Sequence, residues 1–357
     1  MNLVRIVFAA LGLGVLVLIA VSYWMYSSLN SPHEHDKANQ FVVIEKGSTP
    51  REILTKLAGE GILAGVTPSL IYVRTFGNAS KLQAGEYQFV SPITPLQVLK
   101  ELERGEVQTT KLTIPEGFTR FDIAKRIAEK FPQNPPADDK AILTLMDDTS
   151  LIKDLAPTAQ NLEGYMYPST YNFPKETAAK DIVKTLVEQF RKIWKPEWTA
   201  KAQMLGRTPN EIVTIASLIE TETGVEAERP VVAGVINNRL ARGVPLGIDQ
   251  TNVYIAKMLG RWDGTINKSD LEVDSPYNTR IKTGLPPGPI SSVSESAIVA
   301  ALNPEPNNYL FYVRNVDLND GSHWFYASAA EFEKGKAKYQ QWLEKERQEK
   351  RTDEANQ

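Results

Sequence analysis

The first strong pattern along the chain is an apolar run over residues 6–25, interrupted by no charged side chain. It has about the twenty residues a helix needs to cross roughly 30 Å of hydrocarbon. Arg5 precedes it, and Tyr23, Trp24 and Tyr26 cluster at its far end as an aromatic belt would. No small-x-small cleavage site closes the run. The pattern therefore predicts an uncleaved anchor over residues 1–27, N-terminus inside and the remainder outside. The polar residues 28–40, with His33 and His35, read as a flexible, solvated linker. Next, residues 41–44 predict a strand ending at Lys46-Gly47. Thr49-Pro50-Arg51-Glu52 is a capping box that opens a helix through Leu54 and Leu57. A second helix starts at Thr67-Pro68 and stops at Gly77, and residues 85–89 return as a strand. Thr94 to Gln97 launches a helix ending at Gly105, which gives β-α-α-β plus one helix over residues 41–108.

From residue 109 the pattern is longer and more helical. Residues 111–114 predict a strand, 121–131 a helix and 132–139 a Pro-rich loop; 161–173 are dense in aromatics. Ile182, Leu186, Phe190 and Ile193 mark a long amphipathic helix, and Pro230 opens another through Leu240 to Gly243. A short helix is expected at 294–302, and two strands at 309–313 and 323–326 turn around Asp320-Gly321. Ser328 with Glu331 caps a last helix whose charged tail from Glu344 is expected to fray. The fold class is α+β: one transmembrane helix, the small β-α-α-β subdomain, a larger mixed domain over 109–345, and a charged tail over 346–357.

One position breaks the pattern. Thr208, Pro209 and Glu211 start a helix whose apolar stripe runs Ile212, Ile215, Ile219, and the next residue on it is Glu222. Gly224 suits the C′ position, so Glu222 falls in the last turn, where the helix dipole disfavours a carboxylate. Burial and the neighbouring acids Glu220, Glu226 and Glu228 act in the same direction, raising its pKa as a general acid requires. Arg229 is the counterweight, and the residues alone leave open a simple Glu222–Arg229 pair at a helix end.

Composition narrows the chemistry. The 357 residues are 42% hydrophobic and 23% charged, enough for a sizeable core. A net charge of −3 gives no reason to expect nucleic acid as a partner. The absence of Cys excludes disulfides, thiolate metal sites, a cysteine nucleophile and a lipid-modified N-terminal Cys. There is no P-loop, no Gly-x-Ser-x-Gly elbow, no dinucleotide fingerprint and no His/Asp/Glu cluster with metal spacing, so no cofactor is expected. What remains is one well-placed acid among amides, hydroxyls and aromatics, an inventory suited to stacking on and hydrogen-bonding a carbohydrate. The β-α-α-β order looks like the LysM-type modules that bind amino-sugar polymers.

Six segments carry a more specific likeness: Leu162-Glu-Gly-Tyr-Met-Tyr-Pro168, Ala216-Ser-Leu-Ile-Glu-Thr-Glu-Thr223, Glu228-Arg229, Asn238-Arg239-Leu240, Tyr277-Asn278-Thr279 and Gly284-Leu-Pro-Pro-Gly288. In order and spacing they resemble the YceG-like family, the endolytic murein transglycosylases of bacteria. The resemblance implies a LysM-like subdomain joined to a catalytic domain outside the inner membrane, acting on nascent glycan strands and working beside peptidoglycan synthases. The family's catalytic Glu, the second acid of its Ser-x-x-Glu-x-Glu-Thr run, falls on Glu222. Periodicity selects the same residue, since Glu220 points about 100° away from Ile219. The chain departs from the family where Leu-Gln-Thr-Asp-Pro-Thr becomes Leu246-Gly-Ile-Asp-Gln-Thr251, where Pro-Asp-Thr becomes Pro168-Ser169-Thr170, and where Phe332 replaces a His. The first change bears on substrate preference or rate.

The implied reaction breaks the bond between N-acetylmuramic acid and N-acetylglucosamine, and closes the muramic C6 hydroxyl on its own C1. Glu222 would serve as acid and then base. Asn238, Asp249, Tyr254, Tyr277 and Asn278 are the candidates for holding the sugars and orienting it. Glu163 is expected to cap a loop, and His323 to be a strand histidine bonded to backbone. Two other functions stay open at this point: a glycan-binding scaffold that has lost catalysis, and a hydrolase of the same polymer.

Overall fold

The computed structural model describes residues 3–38, 40–45, 47–77, 81–105, 109–131, 137–174 and 177–355. Lys46, part of the expected loop (residues 132–136), residues 106–108 at the expected domain boundary and the last two residues of the tail lie outside the described residues. The chain forms two compact units, Met1–Thr109 and Thr110–Gln357.

In the first unit, α1 (Leu3–Asn30) is longer than the apolar run that announced it. Its stretch Leu11–Asn30, of mean hydropathy 1.6, is long and apolar enough to cross a membrane. Leu11, Leu16, Leu18 and Ile19 are all exposed, an apolar surface that water does not favour. The following segment is not a loose linker. His33 pairs with Ile93 through both backbone bonds (2.8 and 3.0 Å), and the His35 amide donates to Ser91 Oγ at 2.9 Å. Then come β1 (Phe41–Ile44), α2 (Pro50–Gly59), α3 (Thr67–Thr75), β2 (Gly85–Gln88) and α4 (Pro95–Arg104). β1 and β2 pair antiparallel, Phe41 opposite Gln88 and Ile44 opposite Gly85. The capping boxes at Thr49/Glu52 and Thr94/Gln97 both form. Their helices bury Leu54, Leu57, Val98 and Leu102 against Val42, Ile44 and Tyr87 of the strands.

The second unit opens with β3 (Thr109–Ile114), α5 (Arg120–Lys130), α6 (Asp139–Met146) and β4 (Ser169–Pro174), the two strands pairing with each other. The amphipathic α7 (Ala179–Ile193) buries Ile182, Leu186 and Phe190 as expected, and α8 (Pro196–Met204) follows it. At the centre lies α9 (Pro209–Glu222), flanked by α10 (Arg229–Ala241), α11 (Gln250–Met258) and α13 (Glu295–Leu302), with α12 (Lys268–Leu271) a single turn beside α11. Because neighbours surround α9, Val213, Ala216 and Leu218 are as buried as the Ile stripe, and Thr214 and Ser217 are buried too. The loop before α13 docks on it, the Ile290 amide donating to Ser217 Oγ at 3.0 Å. Gly164 makes this approach possible: its φ is +81°, and a Cβ there would stand 2.6 Å from Pro289.

The chain ends in a hairpin of β5 (Phe311–Arg314) and β6 (His323–Tyr326), with Tyr312 opposite Phe325, and in α14 (Ala329–Ala355). The tail expected to fray from Glu344 instead continues this helix. Lys345 and Glu349, 3.7 Å apart one turn from each other, add a little to its stability there.

Candidate active site

The capping box of Thr208 and Glu211 forms and fixes the start of α9, so its fourteen residues end on Glu222. Thr223 follows in extended conformation (φ −143°, ψ 132°), and Gly224 has no left-handed φ, so the expected glycine cap is replaced by a turn into extended chain. That turn brings Thr223 Oγ1 within 3.0 Å of Glu228 Oε2 and leaves Glu222 at the floor of an open cleft of about 600 Å³. Arg239, Asp249, Arg280, Phe311, Tyr312 and Phe332 line the cleft beside it.

The neighbouring acids do not act as the sequence implied. Glu220 receives two hydrogen bonds from Arg229 (2.9 and 3.0 Å) and one from the Ser294 amide (2.9 Å), with both side chains of the pair 4% exposed. Arg229 also reaches Glu226, 3.2 Å away. It therefore pairs with Glu220 and Glu226, and among the described residues Glu222 has no ion pair. Glu228 accepts from the His323 amide at 2.6 Å and bonds its Nδ1 at 2.8 Å, so this histidine is tied to a carboxylate and not, by its ring, to backbone.

Glu222 is held by one bond, donated by the hydroxyl of Tyr312 on β5. Burial raises the Glu222 pKa, the Tyr312 bond and the nearby His323 pull it back, and the charge of Asp249 raises it again. Burial likewise pushes the Tyr312 phenol far up, so it stays a donor. The expected rise is present and burial is its main cause; the acid that adds to it is Asp249, and a phenol, in place of Arg229, is the main counterweight.

Of the other predicted residues only Asp249 lines this cleft, paired there with Arg280. Asn238 donates its amide to Asn307 and to the Tyr309 carbonyl, each at 3.0 Å, tying α10 to the chain before β5. Tyr254 and Tyr277 are buried with ring centres 5.0 Å apart, Tyr254 also packing on Phe121. Asn278 is fully buried and donates to the carbonyls of Leu271 and Val273, both at 2.9 Å. These four support the walls without facing the cleft. Glu163 caps the start of α5, taking the Arg120 amide at 2.9 and 3.1 Å, and burial pushes its pKa up to about 7. Tyr312, Arg280 and Phe311 were not singled out from the sequence, and Arg239 entered only within the Asn238-Arg239-Leu240 segment. The period-two alternation of β5 could not have found its two aromatics, since the adjacent Phe311 and Tyr312 both line the cleft. A second hollow, about 490 Å³ and lined by Asp154, Arg191 and Trp194, holds no free charge: Arg191 grips Asp154 with two bonds of 2.7 and 2.8 Å.

Fold and cleft together define a class: a mixed α+β protein that presents one carboxyl, biased toward its neutral form, in an open aromatic- and arginine-walled cleft. The chain belongs to the YceG-like family, whose sequence model matches residues 42–338. It is 31% identical over 342 residues to the endolytic murein transglycosylase of Bacillus subtilis strain 168, covering 90% of this chain and 91% of that one. It is also 31% identical over 314 residues to the endolytic murein transglycosylase of Streptococcus pneumoniae D39, covering 80% of this chain and 55% of that longer one. A crystal structure of a putative YceG-like protein from Listeria monocytogenes matches with TM-score 0.54 and 30% identity, over 84% of this chain and 99% of that one.

Proposed function

We propose that the protein is a membrane-anchored endolytic lytic transglycosylase of peptidoglycan, with Glu222 as its acid and base. The observation that carries this reading is the position of Glu222: a carboxyl raised in pKa, without an ion pair among the described residues, on the floor of an open cleft. The relatives named endolytic murein transglycosylase support the substrate and the reaction. Protonated Glu222 gives its proton to the oxygen linking muramic C1 to the next sugar, and the C1–O bond breaks. The carboxylate then takes the proton of the C6 hydroxyl as O6 closes on C1, leaving a 1,6-anhydro end, and Glu222 is protonated again. No water is consumed, and the nucleophile belongs to the substrate. Phe311 and Phe332, whose ring centres lie 5.0 Å apart, offer an apolar wall for sugar faces.

In this reading α1 holds the protein in the inner membrane, N-terminus cytoplasmic, with everything after it outside. The β-α-α-β arrangement over 41–108 serves as a LysM-like glycan-binding module, and the catalytic domain extends over 109–345. The enzyme would shorten nascent strands beside the synthases that make them. A second reading is favoured by Asp249: a second carboxylate in the cleft could activate water, which makes the protein a hydrolase.

Mass spectrometry of strand ends after incubation with purified glycan decides. Muramic ends lighter by one water than reducing ends are expected. Reducing ends would establish the hydrolase, and unchanged strands that nevertheless bind would establish a scaffold.

Tyr312→Phe tests the site in another way. The lost bond favours the Glu222 carboxylate, so its removal raises the pKa further and keeps the proton on to higher pH. The basic limb of the kcat/KM profile should move upward, while the rate at the optimum falls about tenfold as the carboxyl loses its orientation. An unmoved limb would mean that the phenol does not govern Glu222.

A further inference from the structure

Arg239 is a cation of the cleft without an anion. Its Nε donates to the Pro245 carbonyl at 3.0 Å and its Nη1 to the Leu310 carbonyl at 2.7 Å, and the guanidinium lies 5.4 Å from the Phe311 ring centre. Among the described residues no carboxylate stands within ion-pair distance, and Nη2 has no protein acceptor. The other arginine of the cleft, Arg280, is already paired with Asp249. Among the described residues the charge of Arg239 therefore has no counter-charge in direct contact.

Burial lowers the Arg239 pKa, the sign of a charge that its surroundings do not repay. Gly247 borders the Nη2 edge of the guanidinium. A Cβ on it would come within 3.6 Å of Nη2, and with φ +68° the position favours a residue that has none. A planar, partly desolvated fork with a free edge beside the acid is a receptor for a carboxylate.

We propose that Arg239 receives a carboxylate carried on the lactyl arm of the muramic acid, making the cleft selective for charged strands over neutral ones. The inference rests on the reading of the substrate as peptidoglycan. Two sources share this chemistry: the arm's own carboxylate in strands stripped of peptide, and the carboxylates of an attached peptide stem.

The test uses the full-length protein and four substrates: stem-bearing strands, strands stripped by an amidase, and each of these with its carboxylates converted to amides. The wild type is expected to lose about tenfold or more in kcat/KM on amidation, chiefly through KM. Whichever charged preparation is preferred identifies the source. Arg239→Gln should fall to the level of the amidated substrates and no longer distinguish charged from neutral strands. Gly247→Asn, the side chain that best tolerates the positive φ of this position, crowds the Nη2 edge and should raise KM on charged strands more than on amidated ones. Equal cleavage of charged and amidated strands by the wild type overturns the proposal. So does an Arg239→Gln loss that is the same on both, since that is the mark of a structural arginine. Calorimetric binding of the same preparations separates the two readings: tighter binding of charged strands without any cleavage would overturn the lytic function and uphold Arg239 as the receptor.

Discussion

Glu222→Gln is expected to lower the production of anhydro ends by about 10³- to 10⁴-fold while leaving the melting temperature within a degree or so of wild type. The expected loss lies toward the upper end for acid–base catalysis because one carboxyl serves both proton transfers, and removing it removes both. The fold should tolerate the change. Glutamine has the same shape, its amide oxygen can still accept the Tyr312 hydroxyl, and no cation is orphaned, because Arg229 is committed to Glu220 and Glu226. Initial rates of anhydro-product release, read by mass spectrometry, together with a thermal melt decide the matter. Undiminished anhydro ends from this variant would remove Glu222 from the chemistry. A lost rate with a lowered melting temperature would mean that the residue is structural.

The contrast between Glu222 and Glu220 also marks how far the sequence could be read. Helix starts were legible because they are local: Thr49/Glu52, Thr94/Gln97 and Thr208/Glu211 each close a capping box within three residues. The antiparallel partners of β1 and β5 were legible for a similar reason, short strands bounded by turns. No helix was predicted over α11, because Thr251 and Asn252 interrupt its apolar positions. Both are fully buried, with Asn252 donating to the Asp270 carbonyl at 2.9 Å and Thr251 to Ile248 at 2.7 Å. An amphipathic stripe assumes that one face of a helix meets the core. α9 is enclosed on several sides, so Glu220, off the stripe, is buried more completely than the pattern implies, while Glu222, on it, opens to a cleft. The partner of Glu222 was out of reach of any local rule: Tyr312 lies 90 residues further along the chain. The preference of Arg229 for Glu220 was equally hidden, because it depends on how the short turn Glu226–Glu228 redirects the chain before α10.

Arg229→Met is expected to destabilise the second unit by about 3–5 kcal/mol, the usual result of stranding one partner of a buried ion pair. The Glu220 carboxylate would keep only Ser294 as a donor, and Ser294 is the N-cap of α13, which packs on α9. Losing the arginine therefore loosens both helices at the end where Glu222 is presented. In a unit of this size the expected drop in melting temperature is roughly 10 °C. The double change Arg229→Met with Glu220→Gln should recover most of that loss, because no charge is then left buried without a counter-charge. A melt of the two variants beside wild type reads the coupling directly. The pair would have a different meaning if Arg229→Met melted like wild type and lost activity as Glu222→Gln does. Arg229 would then serve Glu222 in solution, and the buried bridge to Glu220 would not be what fixes the end of α9. The bidentate geometry and the near-complete burial of the Glu220–Arg229 pair argue for the first outcome, in which one acid of the run holds the helix and the other is left free to act.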